Sequence, residues 1–142
     1  MKKDIVLDLT MEALKGYTDL EQSKSLAEFL PIESADMHYL TYSMYEEYCD
    51  EIVYTANLGK HGMYDKCCIP CWSLAALLNY LREVDYFPEI NADEFEVTMS
   101  ITYYNDHEAR PLAPVQNIKV EAESFIDACV TMIEKLHEQN LL

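Results

Sequence analysis

Positive charge is in short supply in this sequence. Lys and Arg together number 10 against 26 Asp and Glu, which gives a net charge of −16 at neutral pH. Such a surface repels phosphate backbones. The basic residues form no patch to offset it, because Lys2 and Lys3 are a terminal pair and the others are scattered. Direct nucleic-acid binding is therefore not expected. Glycine is scarcer still, with three residues. Gly16, Gly59 and Gly62 cannot make a dinucleotide fingerprint, and Gly59-Lys60-His61-Gly62 has neither the spacing nor the Ser/Thr of a phosphate-binding loop. Those motifs use glycine so that backbone N–H groups can approach phosphate. The usual nucleotide chemistries are set aside on that ground.

Long apolar runs are missing too. The stretch from Met1 to Leu9 is broken by Asp8 and has no small-residue cleavage site, so it does not read as a secretory signal. No segment approaches the length needed to span a bilayer. The expectation is a cytoplasmic protein with no membrane partner. Its five cysteines, an odd number, are reduced thiols by default there. No repeat, linker or low-complexity segment interrupts the chain. Residues 1–142 read as a single domain able to bury a core without metals or disulfides, with residues 1–17 a loosely packed N-terminal segment.

Hydrophobic periodicity marks out the elements. Thr18-Asp19-Leu20-Glu21 has the form of a capping box, which predicts a helix from Thr18 to about Leu30, stopped by Pro31. The tyrosines and Met37 predict a strand over 35–42. Glu46, Glu47, Asp50 and Glu51 mark a solvated stretch before a second strand at Ile52–Thr55, and 59–66 reads as loop. Pro70 and Ser73 announce a helix whose Leu74, Leu77, Leu78 and Leu81 form a stripe, with Asn79, Arg82 and Glu83 facing outward. Phe95, Val97, Met99, Ile101 and Tyr103 alternate with polar residues, the period of a strand with one wet face. An antiparallel partner is expected near Val115–Glu121. The last helix begins at Ser124, with Asp127 at the third helical position and Ile126, Cys129, Ile133 and Leu136 as its apolar seam. The fold class that follows is α+β, an antiparallel sheet of about four strands with about three helices on one face. An open sheet leaves edges that a second copy can cover, so a homodimer is one expected assembly.

One cluster stands out chemically. Cys68 and Cys71 have the C-x-x-C spacing of a redox dithiol just ahead of a helix, where a thiol pKa can fall. The residues before them form no buried strand of a βαβ unit, and Trp72 follows the pair instead of preceding it. A zinc site would draw on His61, Cys67, Cys68 and Cys71. Structural zinc prefers two separated pairs, however, and the adjacent Cys67 and Cys68 are poorly placed to share an ion. The plainer reading is that these cysteines, with Cys49 and Cys129, are small apolar packing residues. Tyr39, Tyr42, Tyr45 and Tyr48 recur every third residue and share no face of a helix or strand, which argues against a stacking platform. His38, His61, His107 and His137 lie far apart, and Asp106-His107-Glu108 reads as a turn. No Ser/His/Asp arrangement and no H-E-x-x-H helix occurs.

From Ile69-Pro-Cys-Trp-Ser-Leu through Ala-Ala-Leu-Leu-Asn-Tyr-Leu the chain resembles a group of short uncharacterised proteins of gut bacteria, their bacteriophages and mobile elements. The segments Leu20–Leu30 and Phe125–Glu138 match that group's early helix and its closing helix after a hairpin. The resemblance implies an accessory or interaction role and supplies no activity, cofactor or catalytic residue. In that group an alanine commonly stands where this chain has Cys71, so no redox or metal role comes with it. The sequence thus points to a non-enzymatic accessory or protein-interaction module, without a cofactor, whose acidic surface meets a basic protein. A thiol-based redox or zinc protein is the alternative. A site assembled from distant Tyr, His and carboxylate residues would make it a small hydrolase or isomerase instead.

Overall fold

The computed structural model describes residues 16–42, 47–54, 68–104 and 115–142. The expected segments at 1–15, 43–46, 55–67 and 105–114 lie outside them, including most of the N-terminal segment, the 59–66 loop and the Asp106-His107-Glu108 turn. The class is α+β with antiparallel pairing throughout. Among the described residues no helix is long and apolar enough to cross a membrane.

The chain divides into two compact units, Gly16–Leu77 and a second containing Leu78–Leu142. The first unit opens with α1 (Leu20–Ala27), capped by Asp19. The Asp19 Oδ1 accepts from Gln22 N–H at 2.8 Å and the Gln22 side chain accepts from Asp19 N–H at 3.0 Å. The capping box is therefore one residue later than the sequence implied, because Thr18 is drawn into the core. A 3-10 turn at Ile32–Ser34 leads to β1 (Met37–Tyr42), flanked by β2 (Glu47–Tyr54) and β3 (Cys68–Cys71). Their order is β2-β1-β3. Glu47, Asp50 and Glu51 belong to β2, which starts earlier than the expected Ile52. Among the described residues β2 is an edge of its sheet.

β3 was not expected. It spans four residues and contains Pro70, which pairs with His38 in the register that sets Met37 opposite Cys71 and Leu40 opposite Cys68. Proline lacks the N–H of a ladder and is confined to edges, and β3 is the edge of its sheet among the described residues. Leu26, Met37, Tyr39, Cys71, Trp72 and Leu77 are buried in this unit. Ser73 precedes α2 (Leu74–Glu83). Its Oγ accepts from Ala76 N–H at 3.1 Å and donates to Asp36, whose other carboxylate oxygen accepts from Ser73 N–H at 2.9 Å.

In the second unit β4 (Glu89–Ala92), β5 (Val97–Tyr104) and β6 (Val115–Ala122) form a sheet in that order. The β5–β6 hairpin runs in unbroken register from Val97 opposite Ala122 to Tyr104 opposite Val115, as the alternation predicted. Val97, Met99 and Ile101 are buried beside Ile118 and Val120, and α3 (Phe125–Glu138) lies against β5 and β6. Ser124 caps α3 by accepting from Asp127 N–H at 3.1 Å, and Ile126, Cys129, Ile133 and Leu136 are fully buried. The strands therefore form two three-stranded sheets instead of one sheet of four. Each sheet gains a four-residue strand whose sequence is too short to show a period.

Both α2 and α3 end with a residue in the left-handed region, Asp85 at φ 66° and Asn140 at φ 57°. In each case the following N–H closes back on the helix, Tyr86 to the Leu81 carbonyl and Leu141 to that of Leu136. This is the usual closing motif with a non-glycine residue at its strained position.

Candidate functional site

Two places in the fold collect polar chemistry, one buried and one exposed. The buried one centres on Thr18, which uses every hydrogen-bonding group it has. Its N–H donates to the Trp72 carbonyl at 2.9 Å. Its carbonyl accepts from the Tyr39 hydroxyl at 2.8 Å and from the Cys71 thiol at 3.5 Å. Its Oγ1 accepts from Trp72 N–H at 3.1 Å, meets Ser23 Oγ at 2.7 Å and donates to Cys71 Sγ at 3.6 Å. A hydroxyl has one proton and two acceptor sites, so this arrangement is complete when Ser23 donates to Thr18. Thr18, Ser23, Cys71 and Trp72 are all fully buried. The indole N–H of Trp72 donates to Ser34 Oγ at 2.9 Å. Among the described residues no buried side-chain nitrogen or oxygen lacks a partner.

This geometry suits cohesion and not catalysis. Burial raises the Cys71 thiol above its ordinary range and outweighs the hydrogen bonds from Thr18 and Ser23 that lower it. The expectation of a lowered thiol pKa ahead of a helix is thereby reversed: Cys71 ends β3 fully buried and is a neutral donor there. Burial, with Cys71 beside it, also raises the Tyr39 phenol. A thiolate nucleophile or a phenolate base is not available from this group at neutral pH.

The cysteine cluster of the sequence is only partly described. His61 and Cys67 lie outside the described residues, Cys68 opens β3 and Cys71 ends it. Three extended steps of roughly 3.3 Å separate the Cys68 and Cys71 Cα atoms by about 10 Å, beyond the roughly 7 Å reach of a disulfide. Among the described residues no three His, Cys, Asp or Glu side chains come together as metal ligands, and Cys71 and Cys129 are free thiols. Of the histidines, His38 is buried in β1, where burial lowers its pKa, and His137 is exposed near the end of α3. Of the tyrosine series, Tyr39 is buried in β1, Tyr42 and Tyr48 lie in β1 and β2, and Tyr45 is not among the described residues.

The exposed place is the border of the second unit at β4. Between Glu83 and Glu96 the chain has six carboxylates and no Lys, Arg or His. Glu83, Asp85, Glu89, Asp93, Glu94 and Glu96 are all exposed. Among them stand the most exposed phenyl rings, Phe87 at 67% and Phe95 at 84%. Phe95, expected as the start of β5, sits instead in the β4–β5 turn. The Asp93 Oδ1 holds it there by accepting from Phe95 N–H at 2.7 Å and Glu96 N–H at 2.8 Å. Those two N–H bonds also lower the Asp93 pKa, so the turn keeps its negative charge. Sequence reading missed this border because Glu-Ile-Asn-Ala has no strand pattern. The cation-free run with two phenylalanines was its only visible signal.

No family model matches the chain, and no curated protein or solved structure is similar enough to it to match. What the two places can do therefore rests on their own chemistry.

Proposed function

We propose that the protein is a non-enzymatic interaction module that meets a basic partner through its acidic surface, as an accessory factor of a bacterial mobile element. The single observation that carries this reading is the stretch Glu83–Glu96, in which six exposed carboxylates, with no cation between them in sequence, accompany the exposed Phe87 and Phe95. Isolated exposed apolar residues are ordinary. Phenyl rings among carboxylates, however, offer a cation both countercharge and a π face. The buried Thr18 group favours the same reading from the other direction, since its hydrogen bonds satisfy one another and its thiol is held protonated.

The test is binding of a purified lysine-rich protein, such as a histone or a ribosomal protein fragment, to the wild-type chain and to Phe87→Ala/Phe95→Ala. Binding that weakens steeply with added salt and falls at least fivefold in the double variant supports the reading. Equal binding by the two proteins would show that the surface attracts cations without a defined site.

A further inference from the structure

The hydrogen bonds of the β4–β5 hairpin determine which backbone groups of β4 face outward. Asp93 N–H donates to the Glu96 carbonyl at 3.0 Å, so Asp93 and Glu96 form a hydrogen-bonded pair. Ala92 pairs with Val97, Asn91 with Thr98, Ile90 with Met99 and Glu89 with Ser100. Antiparallel ladders alternate hydrogen-bonded and non-bonded pairs. Asn91 and Glu89 therefore bond to β5, while the N–H and carbonyl groups of Ile90 and Ala92 point away from it. No strand lies on that side among the described residues. Side chains alternate in the same way. Ile90 and Ala92 share a face with the buried Met99 and Val97, and Glu89 and Asn91 share the polar face with Thr98 and Ser100.

Resting on the function proposed above, we propose that β4 is a docking edge. An extended, Lys- or Arg-rich segment of a partner protein adds beside Glu89–Ala92 as a further strand. Its backbone bonds to Ile90 and Ala92, its cations lie on the Glu89 side, and its alternate apolar side chains continue the Ile90 face. Strand addition of this kind takes affinity from the main chain and selectivity from alternate side chains. Charge selects the occupant. A second copy of this chain would set Glu89 and its neighbouring carboxylates against their own counterparts in a protein of net charge −16. A basic strand meets the opposite sign at each end, at Glu89 and at the Asp93–Glu96 turn.

The experiment uses the full chain and a fluorescein-labelled ten-residue peptide of alternating Lys and Val, with a Glu/Val peptide as control. Binding is read by anisotropy and backbone protection by amide hydrogen exchange. The expected result is binding of the Lys/Val peptide alone, with exchange at Ile90 and Ala92 slowed at least tenfold. Ala92→Pro, which removes one outward N–H at an edge where proline is tolerated, should weaken binding about tenfold. Glu89→Lys/Glu96→Lys should transfer preference to the Glu/Val peptide. If Ala92→Pro does not fold, protection of Ile90 and Ala92 in the wild-type chain decides alone. Salt-sensitive binding without that protection overturns the docking edge and leaves the basic-partner reading standing. Failure of both peptides to bind overturns both. Protection that grows with protein concentration in the absence of peptide assigns the edge to a second copy and overturns the proposal.

Discussion

The hydroxyl of Thr18 stands 3.6 Å from the sulfur of Cys71 across 53 positions of sequence, and the thiol returns a bond to the carbonyl of the same threonine at 3.5 Å. This two-way contact ties the entry of α1 to the end of β3. With Tyr39 and Trp72 on the same threonine, a single residue joins three elements that local propensity alone would leave independent.

Thr18→Val keeps the shape of the side chain and removes its oxygen. The Trp72 N–H and the Ser23 hydroxyl then lose their partner in a fully buried position, a loss of about 1–3 kcal/mol. Urea unfolding should show a lower midpoint with an unchanged slope, and Thr18→Ser should recover most of the difference.

The two described free thiols should be inert in the folded protein. Burial raises Cys71 and pushes Cys129 up to about 12, so both stay protonated at the pH of an ordinary thiol titration. A disulfide reagent at pH 8 should label neither until denaturant is added, with mass spectrometry locating the label. The sign for stability follows. A thiol whose folded pKa lies above its unfolded value favours folding fully below the unfolded value, and that contribution fades as pH rises toward the folded one. Between about pH 9 and pH 12 stability should fall, and Cys129→Ala should make that decline shallower.

Trp72 is the chain's one tryptophan and has no exposed surface. Its native emission should be blue-shifted and protected from acrylamide, and unfolding should shift it to the red in step with circular dichroism. Ser34→Ala removes the acceptor of its indole N–H. It should destabilise by about 1 kcal/mol and alter the native emission maximum.

Self-repulsion in a protein of net charge −16 is screened by salt. Raising sodium chloride from about 20 mM to about 500 mM, where the Debye length shortens from roughly 20 Å to a few ångströms, should raise the thermal midpoint. No rise would mean that the exposed carboxylates are already neutralised.

The parts of the fold that sequence reading captured are those whose information is local. The leucine stripe of α2, the seam of α3 and the alternation from Val97 to Tyr103 repeat their period often enough to be seen. The placement of Thr18 was misread because threonine and aspartate cap helices equally well, and only the distant Cys71 and Trp72 decide between them. β3 and β4 span four residues each, and the first contains a proline. Their strand character comes from the β1 and β5 ladders and not from their own side chains. Phe95 continued the alternation of β5 on paper, but the Asp93 carboxylate claims its N–H for the turn. The acidic border was legible as composition and became a surface only when the exposure of its phenyl rings was known.

Pro70 has an effect beyond its own sheet. It offers a neighbouring strand no N–H and is itself buried. Thr18 and Gly16 are bonded to the chain just beyond it, at Trp72 and Leu74. β4, by contrast, is largely exposed and contains no proline. Two equally short strands thus differ in what they offer a neighbour, through a missing donor and through burial. Recruitment can be directed by where the chain refuses a neighbour as much as by where it welcomes one.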